Sequence, residues 1–269
     1  MNHLKSFRMI FPAVMIAFCA ATAPAQEVRI HSHNDYRQPL PFRHALVHRA
    51  ASIESDIYAT ATDGELLVAH DRDELSSAPT LDETYLQPLI QLFRQNNGRV
   101  RNDSSRPLVL LIDLKTPVHP TLERLIAKLR LYPDVFDPTV NPHAVRVVIS
   151  GNRPDADTFG DYPHFIFFDG NRTDYTPEQL KRIYMTSLNL RDYTLWNGKG
   201  RMTEGDCRQV LRKVGEAHAL GKPVRFWGTP DGATAWHTFH SLGVDFINTD
   251  RPDACAAFFK LTKSVENEE

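Results

Sequence analysis

The run "HSHNDY", His31 to Tyr36, puts two histidines, an amide and a carboxylate within six residues. Related residue types recur downstream: Glu54 and Asp56 in "SIESDIY", His70 and Asp71 closing "DGELLVAHD", and Asp113 and Lys115 in "VLLIDLK". Side chains alternate faces along a strand, so Glu54 shares a face with Asp56, and Asp113 with Lys115. An ionised aspartate and a lysine inside an aliphatic run carry a heavy desolvation cost unless they are paired or bound to a cation. Three carboxylates brought to one place would repel each other. One hard divalent cation with oxygen ligands, Mg2+ or Ca2+, relieves that repulsion better than zinc does. Imidazoles titrate at about 6.5, which suits His31 and His70 to give and take protons beside such an ion.

Each pattern alone has a plainer explanation. Glu-x-Asp on a strand is commonly a solvated edge, "IDLK" a structural ion pair, and a single histidine such as His70 a satisfied surface or core residue. His44 and His48, like His237 and His240, have helical spacing and read as solvated faces rather than metal pairs. What favours chemistry is that the acids and histidines all fall at the ends of the first three strands and the arm after the second.

Those strands belong to a regular alternation. "EVRIHSH", "ASIESDIYA", "RPLVLLIDLKT", "AVRVVISGN", "HFIFFDGN", "MTSLNLRD", "KPVRFWGTPD" and "VDFINTDRPD" read as eight strands, with "DGELLVAHD" as an extra arm. "PFRHALVHRA", "PTLERLIAKLRLY", "TPEQLKRIY", "TEGDCRQVLRKVGEAHALG", "GATAWHTFHSLG" and "PDACAAFFKLTK" read as helices between and after them. This alternation predicts an α/β fold with a parallel sheet, closed as a single-domain (β/α)8 TIM barrel. A doubly wound open sheet is the competing architecture. It usually carries a glycine-rich phosphate loop after its first strand, and neither GxGxxG nor GxxxxGK[ST] occurs. In a barrel, the C-terminal strand ends form the active-site face. There the sequence offers His31, His33, Asn34, Asp35, Glu54, Asp56, His70, Asp113, Lys115, Trp227, Asn248 and Asp250.

Residues 1–25 stand apart. Lys5 and Arg8, the apolar run "MIFPAVMIAFCAATA" and the small residues before Gln26 predict a cleaved secretory signal. The run is interrupted by Pro12 and falls short of the roughly 20 apolar residues that span a bilayer. Residues 26–269 would then form the exported barrel, periplasmic or extracellular. Losing Lys5 and Arg8 takes the formal charge from −2 to −4, and no basic run is present, so nucleic acid is not an expected partner. Cys207 and Cys255 remain, either paired or as separate thiols, without the CxxC spacing of a thiolate zinc site.

The combination of histidine, Glu-x-Asp, His-Asp after a DG turn, and Asp-x-Lys resembles the phospholipase C-like phosphodiesterases. That superfamily includes the glycerophosphodiester phosphodiesterases and sphingomyelinase D-type enzymes. "HSHNDY", "SIESDIY", "DGELLVAHD", "TLDETYLQPL" and "LLIDLK" look most like the subgroup named for altered inheritance of mitochondria, with a weaker match in "GVDFINTDRPD". The resemblance implies His31 and His70 as catalytic acid and base, and Glu54, Asp56 and Asp113 as metal ligands. It implies Lys115 as a stabiliser of phosphate charge, with Asn34 and Trp227 at the substrate. Ser32 stands where glycerophosphodiesterases usually have arginine. His33 also fits a His-Asn pattern, so the first catalytic histidine is His31 or His33.

The expected activity is metal-dependent cleavage of a phosphodiester, from a small molecule or a lipid head group, with transient contact to a membrane surface and no obligate protein partner. Two other functions compete. "HSH" and Asp250 also suit an amidohydrolase-type metal barrel, but that site needs histidines on strands five and six, which end "FFDG" and "NLRD". A protein that holds a phosphorylated head group without cleaving it needs the cation and Lys115 but not two proton carriers.

Overall fold

Nine strands, β1 Arg29–Ser32, β2 Ser52–Ala59, β3 Leu66–Val68, β4 Val109–Leu114, β5 Arg146–Gly151, β6 Ile166–Gly170, β7 Ile183–Asn189, β8 Val224–Trp227 and β9 Phe246–Thr249, lie in one sheet. The computed structural model describes residues 27–61, 64–102 and 104–266, without the side chains of 261–266. The signal expected at 1–25 lies outside these residues. The sheet runs β1-β9-β8-β7-β6-β5-β4-β2-β3, and β1 also pairs in parallel with β2, which closes eight strands into a barrel. The arm β3 is antiparallel to β2, pairing Ile57 with Val68, and so returns the chain to the barrel mouth at His70. The eight-stranded, single-domain barrel expected from the sequence is the fold observed.

Helices Val118–Leu129, Glu204–Ala219, Ala233–Ser241 and Pro252–Glu266 follow the strands where the sequence places them. Two connections differ from that expectation. A π-turn at Asp82–Leu86 runs into helix Gln87–Gln95, one more helix than the sequence predicts. Its buried Tyr85, Leu86, Leu89, Ile90 and Phe93 have helical spacing, and Pro88 is tolerated because it lies in the first turn. The helix expected over 176–184 is a single turn, Pro177–Leu180, because β7 begins at Ile183. Only 3-10 turns, Ala156–Asp161, join β5 to β6.

Outward-facing strand residues such as Ile53, Ile57, Leu110, Ile112 and Val147 pack into the main core that the helices cover. Inside the barrel, Val109, Leu111, Val148, Met185 and Phe246 form a small apolar plug. Above it comes a polar layer in which His31, Glu54, Asp169 and Arg225 are all buried. The interior is filled in layers, and it changes from apolar to charged towards the mouth.

"HSHNDY" turns sharply at the rim. Asn34 has φ 47° and ψ 43°, a left-handed conformation that asparagine tolerates better than most residues. Asp35, a mouth candidate in the sequence, is instead fully buried and bonded away from the site. It accepts hydrogen bonds from Ser32 Oγ at 2.8 Å, Phe42 N–H at 2.6 Å and Tyr85 O–H at 3.0 Å. Cys207 and Cys255 are separate thiols.

Asp35→Ala removes an acceptor from three buried or part-buried donors. It should lower unfolding stability by about 3 kcal/mol in urea denaturation. A loss below about 0.5 kcal/mol, the scale of a neutral surface change, would contradict this role.

Candidate active site at the barrel mouth

The register of β1, β2 and β4 sets the height of each site residue. His31 pairs with Ser52, and Asp56 lies level with Asp113. His33 follows His31 on the same face, one layer nearer the mouth. This distinction decides which histidine can meet a substrate. His31 has no exposed surface. Its Nδ1 lies 2.8 Å from Ser52 Oγ, and its Nε2 lies 2.7 Å from Glu54 Oε2 and 2.6 Å from Arg225 Nη1. Burial, reinforced by the Arg225 charge, pulls its pKa down to about 3. His31 is therefore a neutral strut below Glu54, out of reach of the mouth, and does not meet the expectation of a proton carrier facing substrate. His33 has a side chain 29% exposed. Its Nδ1 is 2.6 Å from Asp250 Oδ1, and its Nε2 is 3.9 Å from Glu54 Oε1. Burial opposes its charge, but Asp250 and Glu54 outweigh that and raise its pKa.

His70 comes in from the arm with its side chain 41% exposed. Its Nδ1 is 3.0 Å from Asp56 Oδ2, and its backbone N–H donates to Glu74 Oε2 at 2.8 Å. Tyr36, which the sequence reading did not single out, has its hydroxyl 2.7 Å from Asn34 Oδ1, 2.8 Å from Asp56 Oδ2 and 3.1 Å from His70 Nδ1. It ties the opening turn to the arm. Asn34, Arg37, Gln38, His70 and Asp250 line an open cavity of about 560 Å³ here. Trp227, at the end of β8, is 44% exposed.

Glu54, Asp56 and Asp113 each offer a carboxylate oxygen within 4.8 Å of the others, the one such acid, histidine or cysteine cluster among the described residues. Lys115 Nζ bridges Asp56 Oδ2 at 2.9 Å and Asp113 Oδ1 at 3.0 Å, and these two acids raise its pKa against the opposing effect of burial. Ser150 Oγ donates to Asp113 Oδ2 at 3.0 Å. Asp56 Oδ1 is buried and has no hydrogen-bond partner. Burial and the neighbouring Glu54 charge raise the pKa of Asp56. An orphaned carboxylate oxygen beside two further carboxylates fits an oxygen-ligated Mg2+ or Ca2+.

Arg225 was also missed. It is 5% exposed and reaches Glu54 Oε2 at 3.1 Å, Asn248 Oδ1 at 2.9 Å, Ser187 Oγ at 2.9 Å and Asp169 Oδ2 at 3.5 Å. Burial pushes Glu54 towards protonation, but the His31 hydrogen bond and the Arg225 charge prevail and keep it an ionised carboxylate. Burial raises Asp169 to about 6 against the Arg225 charge. The rule applied to Lys115, that a charge inside a barrel strand needs a partner, would have found Arg225 in "VRFW". A more enclosed cavity of about 230 Å³ lies at the other end of the barrel, lined by Arg49, Arg99, Arg101 and Phe259 among others. No member of the acid cluster reaches it, so enclosure does not mark the site.

The barrel is similar in fold to those of solved glycerophosphodiester phosphodiesterases. One from Parabacteroides distasonis has TM-score 0.55 at 18% identity, covering 90% of this chain and 99% of that one. Another from Agrobacterium tumefaciens has TM-score 0.52 at 15% identity, covering 86% and 100%. The chain belongs to the family of the AIM6-like phosphodiesterase domain, whose model matches residues 20–169. It is similar to altered inheritance of mitochondria protein 6 of Eremothecium gossypii, at 26% identity over 86% of this chain and 69% of that protein. A homologue of that protein in Arthroderma benhamiae is 23% identical over 86% of this chain and 84% of its own length.

Gly151 keeps room for Asp113. At φ +68°, a Cβ there would lie 2.5 Å from Asp113 Oδ1 and 2.6 Å from the Leu114 carbonyl. Gly151→Ala should cost about 1–3 kcal/mol in stability. It should also weaken Mn2+ binding about 10-fold in calorimetry, the lower end for a disturbed outer shell. Unchanged affinity would show that Asp113 is not a ligand.

Proposed function

We propose that the chain is a metal-dependent phosphoric diester hydrolase using His33 and His70 as acid and base. The observation that carries this reading is the set of three convergent carboxylates, with Asp56 Oδ1 unsatisfied, between two part-exposed histidines. Membership of a phosphodiesterase family supports it. Glu54, Asp56 and Asp113 would hold one Mg2+ or Ca2+, which supplies positive charge against the non-bridging phosphoryl oxygens. Lys115, already beside Asp56 and Asp113, adds a second positive charge as the phosphoryl group becomes more negative.

Each histidine is held by a carboxylate at one ring nitrogen. Asp250 fixes Nδ1 of His33 and Asp56 fixes Nδ1 of His70, which leaves each Nε2 to exchange a proton. One takes the proton of the attacking hydroxyl, and the other gives a proton to the leaving oxygen as the P–O bond breaks. Attack by water yields a monoester and an alcohol, whereas attack by a neighbouring substrate hydroxyl yields a cyclic phosphate. Asn34 and the Trp227 ring border the mouth and would receive the groups attached to phosphorus. The leader-like residues 1–25 support export, with a soluble or lipid phosphodiester met outside the cytoplasm.

His33→Ala and His70→Ala should each lower turnover of bis(4-nitrophenyl) phosphate at least ~100-fold. Chelation should abolish turnover, and Mg2+ or Ca2+ should restore it. Added imidazole should rescue His33→Ala, whose position is open to solvent, but not His31→Ala, whose position is sealed. Failure to turn over any phosphodiester in a metal titration followed by phosphorus NMR would refute the reading.

A further inference from the structure

Beyond Asp113, in barrel order, the chain leaving β5 and the chain leaving β6 enclose a cavity of about 280 Å³ lined by Gly151, Arg153, Asp155, Asn171, Arg172 and Tyr175 among others. Gly151 belongs both to its wall and to the contact with Asp113, so the cavity adjoins the acid cluster directly. The loop from β6 is held in shape. Tyr175 O–H donates to Asn171 Oδ1 at 3.0 Å and accepts from Asn171 N–H at 2.9 Å. Arg172 stacks over the Tyr175 ring, its guanidinium carbon 4.6 Å from the ring centroid, and pairs with exposed Asp174 at 3.1 Å. On the β5 side the backbone N–H of Arg153 donates to the Gly151 carbonyl at 2.8 Å, which curls the chain over the cavity.

Arg153 is the cation of this lining without an ion pair. It is only part-exposed and its guanidinium has no hydrogen bond or ion pair among the described residues, although its charge also acts on the buried carboxylate of Asp169. Of the other arginines at the mouth, Arg225 pairs with Glu54, Arg172 with Asp174 and Arg37 with Glu74. The single acid on the cavity lining, Asp155, is exposed and has no ion pair with Arg153. A cavity bordered by a guanidinium that has no hydrogen bond is suited to an anionic oxygen group, for which arginine offers fork-like donors.

We propose that this cavity is the head-group subsite, and that Arg153, assisted by Arg172, selects phosphodiesters whose head group carries an additional anion such as a phosphomonoester. The inference rests on the phosphodiesterase reading. A diester held at Asp113 has one substituent directed past Gly151, and the cavity can take a polar group of sugar or inositol-phosphate size. The Arg153 guanidinium on its lining disfavours a quaternary ammonium.

The test compares glycerophosphoinositol 4-phosphate, glycerophosphoinositol and glycerophosphocholine as substrates of the full chain with its cation. The 4-phosphate should have the highest kcat/KM. Arg153→Ala should cut the ratio of the 4-phosphate to unphosphorylated inositol ester about 10-fold, the scale of one charge-assisted hydrogen bond. Arg153→Lys should recover part of that ratio. An unchanged ratio in Arg153→Ala, or preference for the choline ester, overturns the proposal. Calorimetric binding of inositol 1,4-bisphosphate reads the same subsite without turnover. Arg153→Ala should weaken it about 10-fold, and equal binding, or none by either protein, overturns the subsite. Binding that depends on Arg153 without cleavage of any ester would uphold the subsite and refute the phosphodiesterase reading instead.

Discussion

Mutual repulsion among Glu54, Asp56 and Asp113 is the constraint around which the upper half of the barrel is arranged. Two unit charges about 4 Å apart interact by about 4 kcal/mol at an effective dielectric of 20. Three such pairs within one mouth amount to a large part of the stability of an ordinary domain. The protein offsets this from two sides. Lys115 sits between Asp56 and Asp113, and Arg225 approaches Glu54 from below. Arg225 is shared in turn with the buried Asp169. Asp56 Oδ1, buried without a partner, marks where the protein's own groups do not finish the task.

That balance separates the roles of two histidines with the same spacing and chemistry. His31 lies in the layer of Arg225, where a second positive charge is excluded, and it remains neutral against Glu54. His33 lies one layer higher beside Asp250, in a site that favours its charged form. Of the two, only the upper residue has a part-exposed ring at the mouth. The lower one fixes the carboxylate that the upper one faces.

Most of the framework was legible in the sequence because it rests on local periodicity. Runs such as "LVLLIDL" can only be buried strands, and their alternation with amphipathic helices leaves few folds other than a closed barrel. The acid cluster was legible because Glu54 with Asp56 and Asp113 with Lys115 obey the strand period. What remained hidden depends on register between strands. A period of two puts His31 and His33 on one face, and only the pairing of His31 with Ser52 separates their depths. Asp35 looked like a rim acid, but Phe42 and Tyr85, which bury it, arrive from a turn and a helix that the motif does not contain. Arg225 was concealed in a short strand, although a guanidinium between Val224 and Phe226 already demanded a buried acid.

The account depends most directly on one ion lying among three carboxylates. Anomalous diffraction from crystals soaked in Mn2+ tests this without relying on activity or substrate. The account predicts one strong peak bounded by Glu54, Asp56 and Asp113, with carboxylate oxygens about 2.0–2.6 Å away, as for hard cations. A soaked crystal with no peak there, or with its strongest peak on other side chains, would contradict it.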